Sequence, residues 1–451
     1  MSKNLKSYTR GWPSLAAVVA TSILVTHCSD LSGRDKLEAP TFSNLIVVMI
    51  DTLRSDYLSS YGGHESSGDF LAQLATEGIQ LQGYSASSWT RPSVATLLTG
   101  LYPQRHQVLS RDDALAIRTP YLPEMLRDNG VQTAALVTNG NVSKLFGFAR
   151  GFDLFRTEMG AGKPKAKTAV DRALELAEQF SPPFFFYIHL MDPHTPYLPD
   201  NLPGKPDVSY PAYIQPQQVL RGEVEFNEEN VTRLKSQYLG EIQEMDPHLE
   251  RLMSQLDHMG LLEDTLVIVT SDHGEEFNDH GGLGHGFTLY EEMLRVPMIL
   301  WAKNGISSRR SEATFHQVDF APTVLAALGQ PLPDSMDGQS RWVSILAESP
   351  QPSGDYLFHL DLDEAKAEAM NQETMKLIRQ IESSEVELFD LGSDPLEKVD
   401  LASDRSTVER LEHQLRDLTR KLEETQYESD HAEPTHSVRE QLEALGYLGD
   451  D

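Results

Sequence analysis

"NLIVVMI" (residues 44–50) is a compact apolar run that stops at a carboxylate, Asp51. A run this short and this continuous reads as a strand covered on both faces, the mark of a parallel sheet. Four further runs share the character: "QTAALVT" (132–138), "FFFYIHL" (184–190), "TLVIVTS" (265–271) and "VPMILWA" (296–302). Helical patterns lie between them, as at 169–180 and 241–259. The alternation predicts an α/β fold: a mostly parallel, doubly wound sheet sandwiched by helices.

Working outward from the strands, chemistry gathers at their ends. The first run leads into Asp51, and the 184–190 run carries His189 and leads to Asp192 and His194. The 265–271 run leads into Asp272 and His273, and the 132–138 run into Asn139 and Asn141. Ligands of open parallel sheets bind beyond the carboxyl ends of the strands. A single Asp there is also a common helix cap; four such ends together point to a metal or catalytic site. Asp51, Asp272 and His273 offer two carboxylates and an imidazole. A divalent metal is expected, Zn²⁺ or Mn²⁺ ahead of Ca²⁺, which prefers oxygen alone.

"SSWTRPSVATLLTG" (87–100) supplies a hydroxyl for that site. Pro92 suits the first helical position, with Val94, Leu97 and Leu98 at helical spacing after it. Thr90 then sits just ahead of the helix, where free N–H groups and the dipole favour an anion. Metal contact would make Thr90 a fourth ligand and a nucleophile. His194 and His285, the latter in "GGLGHGFTLYEE", are candidates to bind further substrate oxygens or to hold a second metal.

The chain has 451 residues, 39% hydrophobic and 24% charged, with a formal net charge of −30. That charge excludes a broad nucleic-acid-binding face. An anionic ester substrate would need local positive charge. Lys3, Lys6 and Arg10 precede an apolar stretch (12–25) too short for a membrane span, and the lone cysteine, Cys28, follows. This reads as a lipoprotein-like signal peptide (1–28), hence export to a bacterial cell envelope with a lipid anchor to the membrane. His27 stands where a small residue is usual, so ordinary secretory cleavage and an uncleaved anchor stay open as alternatives. Nothing in the sequence sets the oligomeric state.

A polar linker (29–43) leads to a catalytic domain (44–345), a small-sheet subdomain (346–400) and a helical tail (401–451). Residues 196–228 are rich in Pro, Gly and polar groups and read as a lid or substrate loop. "DYLFHL", "MKLIRQI" and "VELFDL" are strand-like runs around an acidic helical stretch, a small α+β unit. The tail carries capping-box patterns at Ser406–Glu409 and Ser437–Glu440, and a leucine stripe at 411, 415, 418 and 422 expected to pack.

Several segments together resemble the sulfatase family of the alkaline-phosphatase superfamily: "NLIVVMIDTLRSDYLSSYG", "TRPSVATLLTGLYPQRH", "FFFYIHLMDPHTPY", "TLVIVTSDHGE", "VDFAPTVLAALG", "VELFDLGSDPLEKVDLA" and "LEALGYLG". The resemblance implies a smaller C-terminal antiparallel sheet, a metal held by Asp51, Asp272 and His273, and position 90 as nucleophile. This chain departs from the family pattern at that position. Sulfatases carry a Cys or Ser there, converted to formylglycine; oxidising threonine would give a ketone. Val94 replaces the motif's Arg, Thr52 replaces a second early Asp, and "TNGN" replaces the usual lysine and histidine. Threonine as nucleophile resembles instead the phosphodiesterase and phosphoethanolamine- or phosphoglycerol-transferase branches. The resemblance thus favours phosphoester or phosphodiester chemistry, with sulfuric ester hydrolysis of a sulfated glycan or aryl sulfate, or a non-catalytic binding protein, as alternatives.

Overall fold

A computed structural model describes Ala39 and residues 41–63, 67–158, 163–200, 214–347 and 355–444. The basic and apolar N-terminal stretch, Cys28, most of the linker and the end of "LEALGYLG" lie outside the described residues.

The main sheet has eight strands: β1 (Asn44–Ile50), β2 (Ile79–Tyr84), β3 (Gln132–Val137), β4 (Leu154–Thr157), β5 (Phe184–Leu190), β6 (Thr265–Ser271), β7 (Arg295–Trp301) and β8 (Arg309–His316). Their order is β8-β2-β7-β6-β1-β5-β3-β4. β1 lies at the centre, in parallel register with β5 and β6. Its side chains alternate between two cores. Leu45, Val47 and Met49 join the core that holds Val94, Leu97 and Leu98 of the Thr90–Thr99 helix. Ile46, Val48 and Ile50 join the core built with the Asp69–Glu77, Ala166–Ala177 and Glu228–His258 helices. Both faces of β1 are therefore dry, which is why its run has no polar alternation.

One strand departs from the expectation. β7 runs antiparallel to both of its neighbours, β2 and β6. A parallel neighbour needs a crossover that carries the chain back along the sheet. Between Ser271 and Arg295 the chain forms only two two-residue strands and a four-residue helix. It stays at the carboxyl edge and re-enters the sheet from there. A doubly covered antiparallel strand has the same apolar composition as a parallel one, so the run itself does not reveal its direction.

The second sheet is antiparallel: β9 (Tyr356–Leu362), β10 (Ala365–Gln372), β11 (Met375–Gln380) and β12 (Val386–Asp390). β10 is the stretch read as helical. Its Ala and Glu favour helices, but pairing on both sides decides its state. The Arg405–Glu423 helix packs Leu411 and Leu415 on Leu357, Met370, Leu377 and Leu388, and Leu418 and Leu422 border that cluster. Its cap is Asp404, which accepts from Thr407 N, so Ser406 is already inside the helix. Ser437 likewise lies inside the His436–Ala444 helix. In the proline-rich connection, Pro216–Leu220 is a short helix, and the next helix begins at Glu228, well before 241. Among the described residues no helix is long and apolar enough to cross a membrane.

Candidate active site

The carboxyl edge brings together Asp51 after β1, Asp272 and His273 after β6, and Thr90, reached from β2 through the loop 85–89. All four are fully buried. Thr90 is the first residue of its helix and Trp89 its cap, so the helix starts two residues earlier than Pro92 suggested. Proline is tolerated at the third position because the first four N–H groups of a helix have no internal partner.

Each carboxylate has one tethered and one free oxygen. Asp51 Oδ2 accepts from Asn139 Nδ2 at 2.6 Å and lies 3.1 Å from His189 Nε2. Asp272 Oδ1 accepts from the backbone N–H groups of Thr52 and His273 at 3.1 and 2.9 Å. The other two oxygens, Asp51 Oδ1 and Asp272 Oδ2, are buried with no hydrogen-bond partner. His273 Nδ1 donates to Gly274 O at 2.9 Å, which leaves Nε2 with its lone pair, 3.4 Å from Asp272 Oδ2 and 3.9 Å from Asp51 Oδ1. Free oxygens and nitrogen thus face one another, each fixed from behind, and a divalent cation fits this donor set. Burial pushes the Asp51 carboxyl up to about 6, and burial with the Asp51 charge also raises Asp272. Two buried carboxylates at this separation call for a compensating positive charge.

Thr90 Oγ1 lies 3.3 Å from His273 Nε2 and 3.4 Å from Asn139 Nδ2. Asn139 therefore stands in the cluster itself, where the resemblance led one to expect lysine. Asn141 turns away: its Oδ1 accepts from Arg91 at 2.8 Å. Val94 is a core residue. Thr52 is held at φ 57, a left-handed conformation that strains a β-branched residue and aims its N–H at Asp272.

The two candidate histidines sit side by side, with ring centroids 4.9 Å apart, and His285 is 4.7 Å from His273. His194 Nδ1 donates to Thr195 O at 2.5 Å. His285 Nδ1 meets Glu275 Oε1 at 2.9 Å, and Tyr197 donates to the other Glu275 oxygen at 2.7 Å. Burial and the neighbouring His285 hold His194 well below the ordinary histidine range. Burial lowers His285, but the Glu275, Asp51 and Asp272 carboxylates together outweigh it and raise it. Asp192 does not join the cluster; it accepts from Ala166 N and pairs with buried Lys163 at 3.2 Å.

Glu275, Gln317 and Lys163 were not singled out from the sequence. Gln317 Nε2 donates to Asp272 O at 2.8 Å and Ser271 O at 3.2 Å, while its Oε1 accepts from Ala86 N at 2.9 Å. It ties the strand end bearing Asp272 to the loop bearing Thr90. Lys163 Nζ donates to His194 O at 2.9 Å and to Glu241 at 2.7 Å. The only sequence signals were Glu275 beside "DHG" and Gln317 after a strand.

Residues 43–330 match the family model described as Sulfatase, and 279–427 match the C-terminal region of N-sulphoglucosamine sulphohydrolase. A low-salt glycan biosynthesis sulfotransferase of Haloferax volcanii is 26% identical, covering 71% of this chain and 67% of that protein. An arylsulfatase of Clostridium perfringens is 21% identical, covering 84% and 94%. Among solved structures, the phosphonate monoester hydrolase of Agrobacterium radiobacter superposes with a TM-score of 0.67 at 19% identity, covering 84% and 96%. At that identity the likeness concerns the fold.

Proposed function

The chain belongs to the sulfatase family, hydrolases and transferases that use a divalent metal, and from that premise we propose that Thr90 is its nucleophile and phosphorus its target. The substrate is an anionic phosphoester, a phosphodiester first. The observation that carries this reading is the place of Thr90 Oγ1, at a helix start and 3.3 Å from His273 Nε2, beside two unpartnered carboxylate oxygens.

Asp51, Asp272 and His273 would hold a divalent cation, and Thr90 Oγ1 would add a fourth donor; the mixed nitrogen and oxygen set would favour Zn²⁺ or Mn²⁺ over Ca²⁺. When bound, the ion lowers the pKa of the Thr90 hydroxyl and offsets charge on the transferring group. Asn139 orients Asp51 and faces Thr90 Oγ1. Thr90 gives its proton to water and bonds to phosphorus through Oγ1. The bond to the leaving oxygen breaks, and that oxygen takes a proton from His285, held by Glu275. In the second step water or an acceptor alcohol gives its proton to His285 and attacks phosphorus, the bond from phosphorus to Thr90 Oγ1 breaks, and Thr90 takes a proton back from water. A threonine ester cannot collapse through an aldehyde hydrate, so the covalent intermediate must be opened at the central atom. This supports phosphorus over sulfur.

Sulfate transfer or hydrolysis is the second reading, favoured by the relatives named as a sulfotransferase and an arylsulfatase. Rates on paired phosphodiester and sulfate esters with one leaving group decide between them. Faster diester cleavage that is lost in Thr90→Ala supports the first; faster sulfate cleavage lost in the same variant supports the second. Turnover unchanged in Thr90→Ala overturns both. The net charge of −30 argues against a nucleic-acid partner. The N-terminal stretch supports export with a lipid on Cys28; mature protein starting at Met1 without lipid would overturn that part.

A further inference from the structure

A short hairpin joins Glu275 to His285, built from the paired stretches Glu276–Phe277 and Leu283–Gly284. His280 stands at its tip, and both ring nitrogens face oxygens that accept. Nδ1 lies 2.7 Å from Glu292 Oε1, and Nε2 lies 3.1 Å from the backbone oxygen of Glu397. A neutral imidazole carries one N–H, and two bonds of this kind need two. The ring that makes both is therefore an imidazolium. It lies flat on Tyr290, centroids 3.8 Å apart and planes 14° from parallel, a place that suits a cation. Burial and Lys398 oppose the charge, but the Glu292 carboxylate and the Glu397 carbonyl outweigh them and raise His280 above the ordinary histidine range. The acids of its own hairpin are engaged elsewhere. Asp279 pairs with Arg54 at 2.8 Å, and Glu276 Oε1 accepts from the N–H groups of His280 and Gly282.

The two partners of His280 belong to different parts of the fold. Glu292 sits on the short helix that leads into β7. Glu397 lies in the turn after β12, where its carboxylate accepts from Glu291 N at 2.6 Å and pairs with Lys376 of β11 at 2.8 Å. Lys376 is fully buried and also bonds Glu291 at 2.9 Å, whose other oxygen accepts from Tyr84 of β2. His280 thus ties the hairpin tip to a buried network that joins the large sheet to the small one.

The open end of the hairpin carries the chemistry, Glu275 Oε1 against His285 Nδ1 at 2.9 Å. The outgoing strand is fixed by Arg54, which donates to Glu275 O at 2.9 Å and to Asp279. The return strand is "GGLG" (281–284), with Gly281 and Gly284 at φ 96 and 88 and Leu283 as its buried apolar anchor. Glycines leave a strand little stiffness of its own, so its direction depends on where the tip is held.

We propose that His280, as an imidazolium, clasps this hairpin to the Glu397 turn and so keeps His285 in line with the leaving oxygen: a positioning residue, outside the reacting centre. For its place in the reaction the inference rests on the reading of His285 as the acid; the clasp itself stands apart from turnover. It is also proton-linked. Below about 6.5 the ring is charged in the folded and the unfolded chain alike and both bonds are present; as pH rises through the higher folded value the second N–H is lost, and its nitrogen turns a lone pair on an acceptor.

The test is amide hydrogen exchange of the full chain, read by mass spectrometry and corrected for the intrinsic effect of pH. Residues 276–286 should exchange about tenfold faster in His280→Gln near pH 6, with the wild-type rate elsewhere showing that the variant folds. In the wild type their protection should fall between about pH 6 and 9, and in His280→Gln it should not change. Glu292→Gln keeps an acceptor and removes the charge, so the fall should move down by about one pH unit, a measurement that decides even where His280→Gln does not fold. The second readout is the leaving group. On phenyl and 4-nitrophenyl esters of one phosphodiester, His280→Gln should lower kcat about tenfold for phenolate and less than about twofold for nitrophenolate, since the poorer leaving group depends on a well-placed acid. Loss of structure alone would lower both alike. Equal exchange in wild type and His280→Gln, or wild-type protection that is flat with pH, would overturn the clasp. His285→Asn separates the two readings. If it lowers both esters alike, the acid role of His285 fails, and faster exchange in His280→Gln still upholds the clasp. If it is selective and His280→Gln is not, the acid role stands and the positioning role fails.

Discussion

Thr90 Oγ1 lies 3.3 Å from His273 Nε2, although 183 positions separate the two residues in the chain. The contact exists because β2 and β6 both deliver their ends to the same edge of one sheet. If Thr90 is the nucleophile, Thr90→Ala lowers kcat about a thousandfold or more, the scale on which covalent enzymes lose turnover without their nucleophile. Thr90→Ser keeps the oxygen and loses only the stiffening methyl, so part of the rate should remain. Steady-state rates on a phosphodiester check both; equal rates in wild type and Thr90→Ala would remove the role.

The sheet and the cluster were legible because both rest on local signals. β1, β5 and β6 coincide with their apolar runs, since full burial on two faces leaves no room for polar residues. Asp51, Asp272 and His273 follow directly from those runs. What was not legible depends on pairing partners far away in sequence. The direction of β7 is set by the path between Ser271 and Arg295, and β10 is a strand because β9 and β11 flank it. Gln317 and Lys163 act through backbone oxygens, and any polar residue at those positions looks the same in the sequence.

The donor set makes a second prediction. With the cation removed, Asp51 Oδ1 and Asp272 Oδ2 face each other without a partner. A chelator should therefore lower stability, by about 3 kcal/mol when the free ion had stood near a hundred times its dissociation constant. Asp272→Asn should reduce bound metal to background and abolish the chelator's effect. Metal content by mass spectrometry and thermal midpoints with and without chelator check this; a chelator effect that persists in Asp272→Asn would place the ion elsewhere.

Gln317 gives a third. Gln317→Leu has similar size but loses the bonds to Asp272 O, Ser271 O and Ala86 N. Buried groups left unpaired cost about 1–3 kcal/mol each, and partial relaxation should bring the total to about 2–4 kcal/mol in urea unfolding. Because Gln317 touches none of the metal-facing atoms, bound metal should be retained while kcat falls. Loss of metal with unchanged stability would contradict the bracing role.

The fourth concerns acid. His106 and His316 are fully buried, and burial pushes both down to about 3. The geometry agrees. His106 Nδ1 accepts from Val108 N at 3.0 Å, and His316 Nδ1 accepts from Val318 N at 3.2 Å. Protonation would turn each acceptor into a donor aimed at an N–H group. Below the unfolded value near 6.5 the unfolded chain binds a proton at each histidine and the folded chain does not. The stability owed to each neutral ring is complete above about 6.5 and is lost as pH falls from there toward 3, at about 1.4 kcal/mol per pH unit. Raised carboxyls such as Glu241, pushed up to about 7 chiefly by burial, act in the opposite direction, so the wild-type profile alone is mixed. The difference between wild type and His106→Gln isolates one ring. Glutamine does not titrate, so the variant should be less stable at pH 7.5 and close the gap by about 1 kcal/mol between pH 6.5 and 5.5. Urea unfolding at a series of pH values measures that gap; one that stays constant with pH would mean that His106 does not titrate differently in the folded and unfolded chains.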